Sequence, residues 1–256
     1  MNEEIKKNRM FMHCPSFEGR MMESDQQKGL PHPSYEKDLT RTFIELPAFD
    51  HALVMPSYLD LLEERKSDRV YTDQPMTQEQ LAFMLWSANG IKSTRGEGIV
   101  STFRPAPSGG ARHPFEVYLA IKNVEGLEPG FYHYVPMKNI GEKKVTIEYL
   151  KPLFDDYETS MNQLVVGQKW VTKAPVVLFM SCVPYRAEWR YRDASHRVML
   201  IDLGHVGQNL MLSATALGLG SCCLAAYHQS LCDETFGFNG IDEYTVYALP
   251  VGHVKK

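Results

Sequence analysis

Arg104-Pro105-Ala106-Pro107-Ser108-Gly109-Gly110-Ala111-Arg112-His113-Pro114 runs without interruption into Phe115-Glu116-Val117-Tyr118-Leu119-Ala120-Ile121. The second stretch alternates as a strand. The first sets turn formers, backbone amides open to close approach, one hydroxyl and two guanidinium groups directly before it. A loop of that composition suits a polar, partly anionic ligand, because arginine supplies forked donors and two successive glycines bare the main chain. The rival reading is a tight connection between the Gly96-Glu97-Gly98 segment and the strand.

Working outward, Phe131 to Val135 and Val145 to Leu150 read as shorter strands around Gly130 and Gly141, Ala174 to Val183 as a buried strand and Tyr244 to Val251 as a last one. Val198 to Leu217 reads as a long helix, apolar on most of its circumference and ended by Gly218-Leu219-Gly220. Such a helix belongs at the middle of a domain or at a subunit interface, and Gly204, Gly207, Ala214 and Ala216 would admit a second helix closely.

Upstream, Pro75-Met76-Thr77 opens a helix in which Thr77 caps, Gln80 completes a capping box, and Leu81, Met84, Leu85 and Ala88 follow at helical spacing until Gly90. Tyr58, Leu59, Leu61 and Leu62 predict a short helix ending in charge. The class that follows is α+β, a central mixed, mostly antiparallel sheet flanked by helices. Residues 1–55 form an N-terminal extended arm, either an ordered wrap or a mobile tail, and residues 56–256 form the folded domain.

At 256 residues and 44% hydrophobic content the chain can bury a large core. A net charge of −4 with 23% charged residues gives no basic field for nucleic acid. The first residues have no apolar signal core. The two long apolar runs are too short, as in Ala174 to Val183, or interrupted by Asp202, His205, Gln208 and Asn209, so the expectation is a cytoplasmic protein without a membrane span. Five cysteines without a CxxC pair read as reduced thiols, and the scattered histidines carry no metal-site spacing.

Arg65-Lys66-Ser67-Asp68-Arg69 gathers three cations and a hydroxyl able to neutralise a phosphate, against the alternative of a solvated charged turn. Ser108 is not in a GxSxG elbow, and Gly218-Leu219-Gly220-Ser221-Cys222-Cys223 follows a helix rather than a strand, which argues against a Rossmann site. The adjacent Cys222 and Cys223 are either redox active or small buried thiols.

The segments Arg65 to Tyr71, Pro107 to Pro114, Asp202 to Leu210 and Ala216 to Ser221, in this order, resemble the FMN-dependent nitroreductase family, in particular its branch of thiazole- and oxazole-forming (azoline) peptide dehydrogenases. The resemblance implies a homodimer with the long helix at its interface. It also implies FMN held by Arg65, Lys66, Ser67 and Arg69 of one subunit and by Pro107, Ser108, Gly109 and Gly110 of the other.

By the same resemblance, Gln168 touches the flavin, Cys223 and Leu224 lie along its ring, and Lys255 is the late basic residue that meets the phosphate. NADH or NADPH would be the electron donor and a nitro or quinone compound the small-molecule acceptor. The alternatives are a flavin-sequestering protein without turnover and a peptide azoline dehydrogenase. That branch carries a Lys-Tyr pair before the long helix where this chain has Arg190-Tyr191, which makes Tyr191 the candidate catalytic residue.

Overall fold

A computed structural model describes residue 9 and residues 23–37, 42–54, 57–96 and 101–255. Much of the arm reading, and residues 97 and 98 of the Gly96-Glu97-Gly98 segment, fall outside these. In chain order the strands are β1 (Phe43–Leu46), β2 (Ser93–Arg95), β3 (Ser101–Phe103), β4 (Phe115–Ile121), β5 (Gly130–Tyr134), β6 (Val145–Lys151), β7 (Val176–Cys182), β8 (Gly220–Ser221) and β9 (Tyr244–Gly252). The helices are α1 (Tyr58–Glu64), α2 (Gln78–Asn89), α3 (Tyr157–Leu164), α4 (Tyr185–Tyr191), α5 (Ser195–Ala216) and α6 (Gln229–Phe236).

The main sheet has seven strands in the order β1-β6-β5-β4-β7-β9-β8, each antiparallel to its neighbours, while β2 and β3 form a separate ribbon. Strands β4 and β7 are buried along their whole lengths because helices cover both faces of the sheet centre. One core lies between the sheet and α2 with α5, and includes Leu81, Leu85, Val117, Leu178, Leu203 and Leu210. A second, on the opposite face, gathers Met161, Leu164, Phe131, Phe179 and Cys232 from α3, the sheet and α6.

Local chemistry explains the helix ends. Thr77 accepts from the Gln80 amide while the Gln80 side chain accepts from the Thr77 amide, and α2 stops at Gly90. Ser57 and Asp60 form the same reciprocal cap on α1. Helix α4 is broken at Arg192, whose φ is +52°, and α5 begins at Ser195, one turn before the apolar run at Val198, because the 3-10 turn Arg192–Ala194 leads straight into it.

Two features of the fold differ from the sequence reading. Phe43–Leu46 is an edge strand paired with β6, so part of the N-terminal arm belongs to the main sheet. Gly207 does not make room for another helix. A Cβ there would lie 2.9 Å from the Tyr247 ring, so the glycine lets α5 settle onto β9. Among the described residues no helix is long and apolar enough to cross a membrane.

Candidate functional site

The loop ahead of β4 is moulded onto α4 and α5. Gly110 has φ +59°, and Ala111 and His113, with Cβ atoms, are also left-handed at +55° and +42°. Left-handed non-glycine residues persist only where their surroundings over-determine them, and they gather at ligand sites. A Cβ on Gly109 would lie 2.5 Å from Val198 Cγ1, and one on Gly110 would lie 2.6 Å from Arg190 Cδ and 2.8 Å from Tyr191 Oη. The diglycine therefore exists so that Arg190 and Tyr191 can approach the main chain, and Arg190-Tyr191 shares a site with Ser108, Gly109 and Gly110.

Hydrogen bonds lock this shape. Ser108 Oγ donates to Asp202 Oδ2 at 2.7 Å, and the Gly109 amide donates to both Asp202 oxygens at 3.1 and 3.0 Å. The His113 amide donates to Ser108 Oγ at 2.9 Å, and Tyr35 of the arm donates to the Ala111 carbonyl at 2.7 Å. Burial raises the Asp202 carboxyl above its usual range, although the bonds from Ser108 and Gly109 pull it back.

The two guanidinium groups are not turned to a ligand, which corrects the reading of the loop. Arg104 donates to Thr102 Oγ1 and to Asn89 inside the domain. Arg112 is 1% exposed, donates to the Gly110 carbonyl and to Ser101, and lies 5.1 Å from the Trp189 ring centre. Both hold the loop from beneath, because Tyr35 and Trp189 arrive from distant parts of the chain to cover them. Helix α4, which carries Trp189, Arg190 and Tyr191, is fixed to β4 by a buried Arg186–Glu116 ion pair at 2.6 Å.

The cationic run sits elsewhere. Arg65 caps the end of α1, Ser67 bridges to Ser221 of β8, and the Asp68 amide donates to the Ser221 carbonyl. Lys66, Ser67 and Arg69 are exposed. Lys66 and Lys255 line one cavity of about 430 Å3 with Glu64, Asp68, Thr215, Gly218, Leu219 and Val254, at the C-terminal end of α5. Lys66 is 3.5 Å from Asp68, and Arg69 lies over the Trp170 ring.

Cys223 is half-buried, contacts Tyr247, and has its thiol pushed up to about 11 by burial, so it is an unreactive thiol. Leu224 follows Cys223 into the sheet. Its side chain joins the second core, and both its backbone groups pair with Ala248. The Gln168 amide donates to the Val165 and Ala226 carbonyls, which ties it to the segment after β8. The exposed Pro107 opens the diglycine loop.

Within one chain the diglycine loop and the cationic run are far apart. The loop meets α5 at Asp202 and the run meets it at Thr215, a rise of about 20 Å along the helix. Asp202 was not singled out as a site residue from sequence. The available signal was a carboxylate on the inward face of an apolar helix, which must find partners.

A model of the nitroreductase family matches residues 62–253, a span that contains both clusters. A nitroreductase candidate from Methanocaldococcus jannaschii is 31% identical over 193 residues, which is 75% of this chain and 89% of that protein. The microcin B17-processing protein McbC of Escherichia coli is 30% identical over 156 residues, 59% of this chain and 53% of McbC. In fold, the chain matches a nitroreductase-type crystal structure from Ralstonia eutropha with TM-score 0.61 at 22% identity, covering 89% of this chain and 100% of that one. It matches a chain of the E. coli microcin synthetase McbBCD complex, solved with truncated pro-MccB17 bound, with TM-score 0.57 at 21% identity, covering 100% of this chain and 95% of that one.

Proposed function

The chain belongs to the nitroreductase family and resembles its peptide-processing branch, and on that premise we propose that it is a homodimeric, FMN-dependent oxidoreductase. When bound, FMN supplies the redox chemistry, accepting hydride from NADH, NADPH or another donor and passing electrons to a small acceptor such as a nitro or quinone compound.

The residues present fit such a group. The diglycine lets Val198, Arg190 and Tyr191 pack directly on the loop, which gathers Ser108, Arg190 and Tyr191 into one polar surface that a flavin can meet. Lys66 and Lys255 share their cavity with Glu64 and Asp68, and Arg65 and Arg69 on the adjoining run tip the balance to the positive charge a phosphate needs. These cations must do that work without help from α5, whose nearby C-terminal end carries the negative pole of the helix dipole. Ser108 and Tyr191 are the groups of this chain that would meet the ring and the substrate above it, and Cys223 beside Gly207 would form an apolar wall.

The observation that carries this reading is that the loop and the cationic run, both inside the matched span, lie at opposite ends of α5. A second copy related by a two-fold axis, with its α5 antiparallel, would bring the cationic run of one chain beside the diglycine loop of the other, where one ligand can meet both. The surface supports that packing. Leu200 and Ile201 of α5 are each 55% exposed, Gly204 has open space where a Cβ would be, and Leu59 of α1 is 63% exposed.

Purified protein mixed with FMN should elute yellow as a dimer, and its flavin absorbance should bleach with NADH or NADPH and return with an acceptor. A colourless protein contradicts the reading. A flavin that binds but neither bleaches nor reoxidises moves it to sequestration.

A second reading, oxidation of a heterocycle in a peptide, is favoured by the match to McbC and by Tyr191 lying against Gly110. Arg190 stays charged where a lysine could lose its proton, so this reading gives Arg190 the binding of an anionic group and leaves proton transfer to Tyr191.

A further inference from the structure

The hydrogen-bond directions at Ser108 determine what this loop can offer. A serine hydroxyl has one proton to donate and two lone pairs to accept with. The His113 amide occupies one lone pair at 2.9 Å, and the proton is given to Asp202 at 2.7 Å. Both Asp202 oxygens accept from the Gly109 amide, so Asp202 acts here as an acceptor through both oxygens, as a carboxylate does. One lone pair on Ser108 is left, on a residue that is half-buried at the loop surface. The Gly109 amide is likewise committed to Asp202.

From this we infer that Asp202 is a positioning residue that sets the hydrogen-bonding polarity of the diglycine loop. By taking the Ser108 proton and the Gly109 amide, it makes Ser108 a pure acceptor toward the ligand, and the loop selects a ligand atom that bears hydrogen. The inference rests on the flavin reading above and deepens it. Reducing FMN by two electrons places hydrogen on ring nitrogen, so the reduced ring gains an N–H donor where the oxidised ring has a lone pair. An acceptor fixed in advance at the nitrogen that gains hydrogen would favour the reduced form and raise the potential of the bound flavin, whereas one at N3, which bears hydrogen in both forms, would leave the potential unchanged.

Asp202→Asn reverses this polarity with almost no change of shape. The new amide nitrogen donates to Ser108, both lone pairs of the serine are then filled, and the hydroxyl proton is released toward the ligand. The FMN midpoint potential should fall, by about 30 mV for each tenfold loss of preference for the reduced form. Loss of a negative charge near the ring would by itself raise the potential, so the direction separates polarity from simple charge. In a Ser108→Ala background the fall on Asp202→Asn should vanish, leaving only the rise that loss of the charge produces.

The measurement is a spectroelectrochemical titration of the FMN-loaded dimer for wild type, Asp202→Asn, Ser108→Ala and the double variant, with circular dichroism confirming the fold. A potential that is unchanged or higher in Asp202→Asn, or a fall that persists without the serine, overturns the assignment. If the wild-type chain takes up no FMN, the flavin reading itself fails and amide exchange of the ligand-free protein decides for Asp202. Strong protection of Gly109 that disappears in Asp202→Ala upholds its hold on the loop, and equal exchange in both overturns it.

Discussion

The diglycine loop and the cationic run are both polar and glycine- or charge-marked in sequence, yet the structure treats them in opposite ways. The loop is held from every side, by Asp202, Tyr35, Trp189 and the buried Arg104 and Arg112. The run is tied down mainly through the main chain at Ser67 and Asp68, and Lys66 and Arg69 are exposed, in loose contact with Asp68 and the Trp170 ring. A group that must present fixed dipoles gains from being built in advance, whereas a group that neutralises phosphate needs only charge within reach. The loop should thus respond to substitution in stability and ligand binding together, and the run in binding alone.

The largest effect should come from parting the two copies. Leu200→Arg with Ile201→Arg, on the exposed face of α5, should give a monomer that retains no FMN, as read by light scattering and flavin absorbance. A monomer that keeps its flavin would mean that both regions serve one chain.

Next is Gly109→Ala. The added methyl meets stiff Val198 at 2.5 Å, and overpacking of this kind costs about 1–3 kcal/mol. Thermal denaturation should show that loss together with weakened FMN retention. A melting curve like that of wild type would show that the loop has slack.

Acidification should also act on the loop first. Burial, with Arg104 second, holds the His113 imidazole down at about 3, and burial lowers His32, against Trp189, to about 4. Both are neutral when folded and take up protons near 6.5 when unfolded, so their contribution is complete above pH 6.5 and is lost as pH falls toward 4 and 3. Amide exchange across Ser108 to His113 should rise over that window before the exchange of β4 does. Simultaneous loss would remove the distinction.

The smallest structural effect is expected at Lys66→Ala. Stability should stay within about 0.5 kcal/mol of wild type, while FMN affinity drops about tenfold and less so in high salt. Calorimetric titration at two ionic strengths checks both parts.

How much of this could be read beforehand depended on whether the signal was local. The capping box of Thr77 and Gln80, the β4 alternation and the glycine stop after α5 are written in adjacent residues, and the structure contains them. Strand β1 was lost because Phe43-Ile44-Glu45-Leu46 is short and owes its pairing to β6, about a hundred residues away. Arg104 and Arg112 looked available because nothing nearby in the chain announces that Tyr35 and Trp189 will cover them. Gly207 looked like a helix contact because Tyr247 enters from the last strand. At the site, the residue types were legible, and the partner that commits the Ser108 proton was not, since Asp202 lies far along the sequence.

The central claim is that one chain's cations and its partner's diglycine loop enclose the same flavin. The direct measurement mixes two defective chains, one carrying Arg65→Glu with Lys66→Glu and the other Gly109→Ala with Ser108→Ala, and isolates the hybrid dimer. A site shared between subunits leaves one of the two positions wholly intact in the hybrid, so FMN binding at wild-type affinity should return at half occupancy. If the hybrid binds no better than either parent, each chain holds its own flavin and the account is wrong.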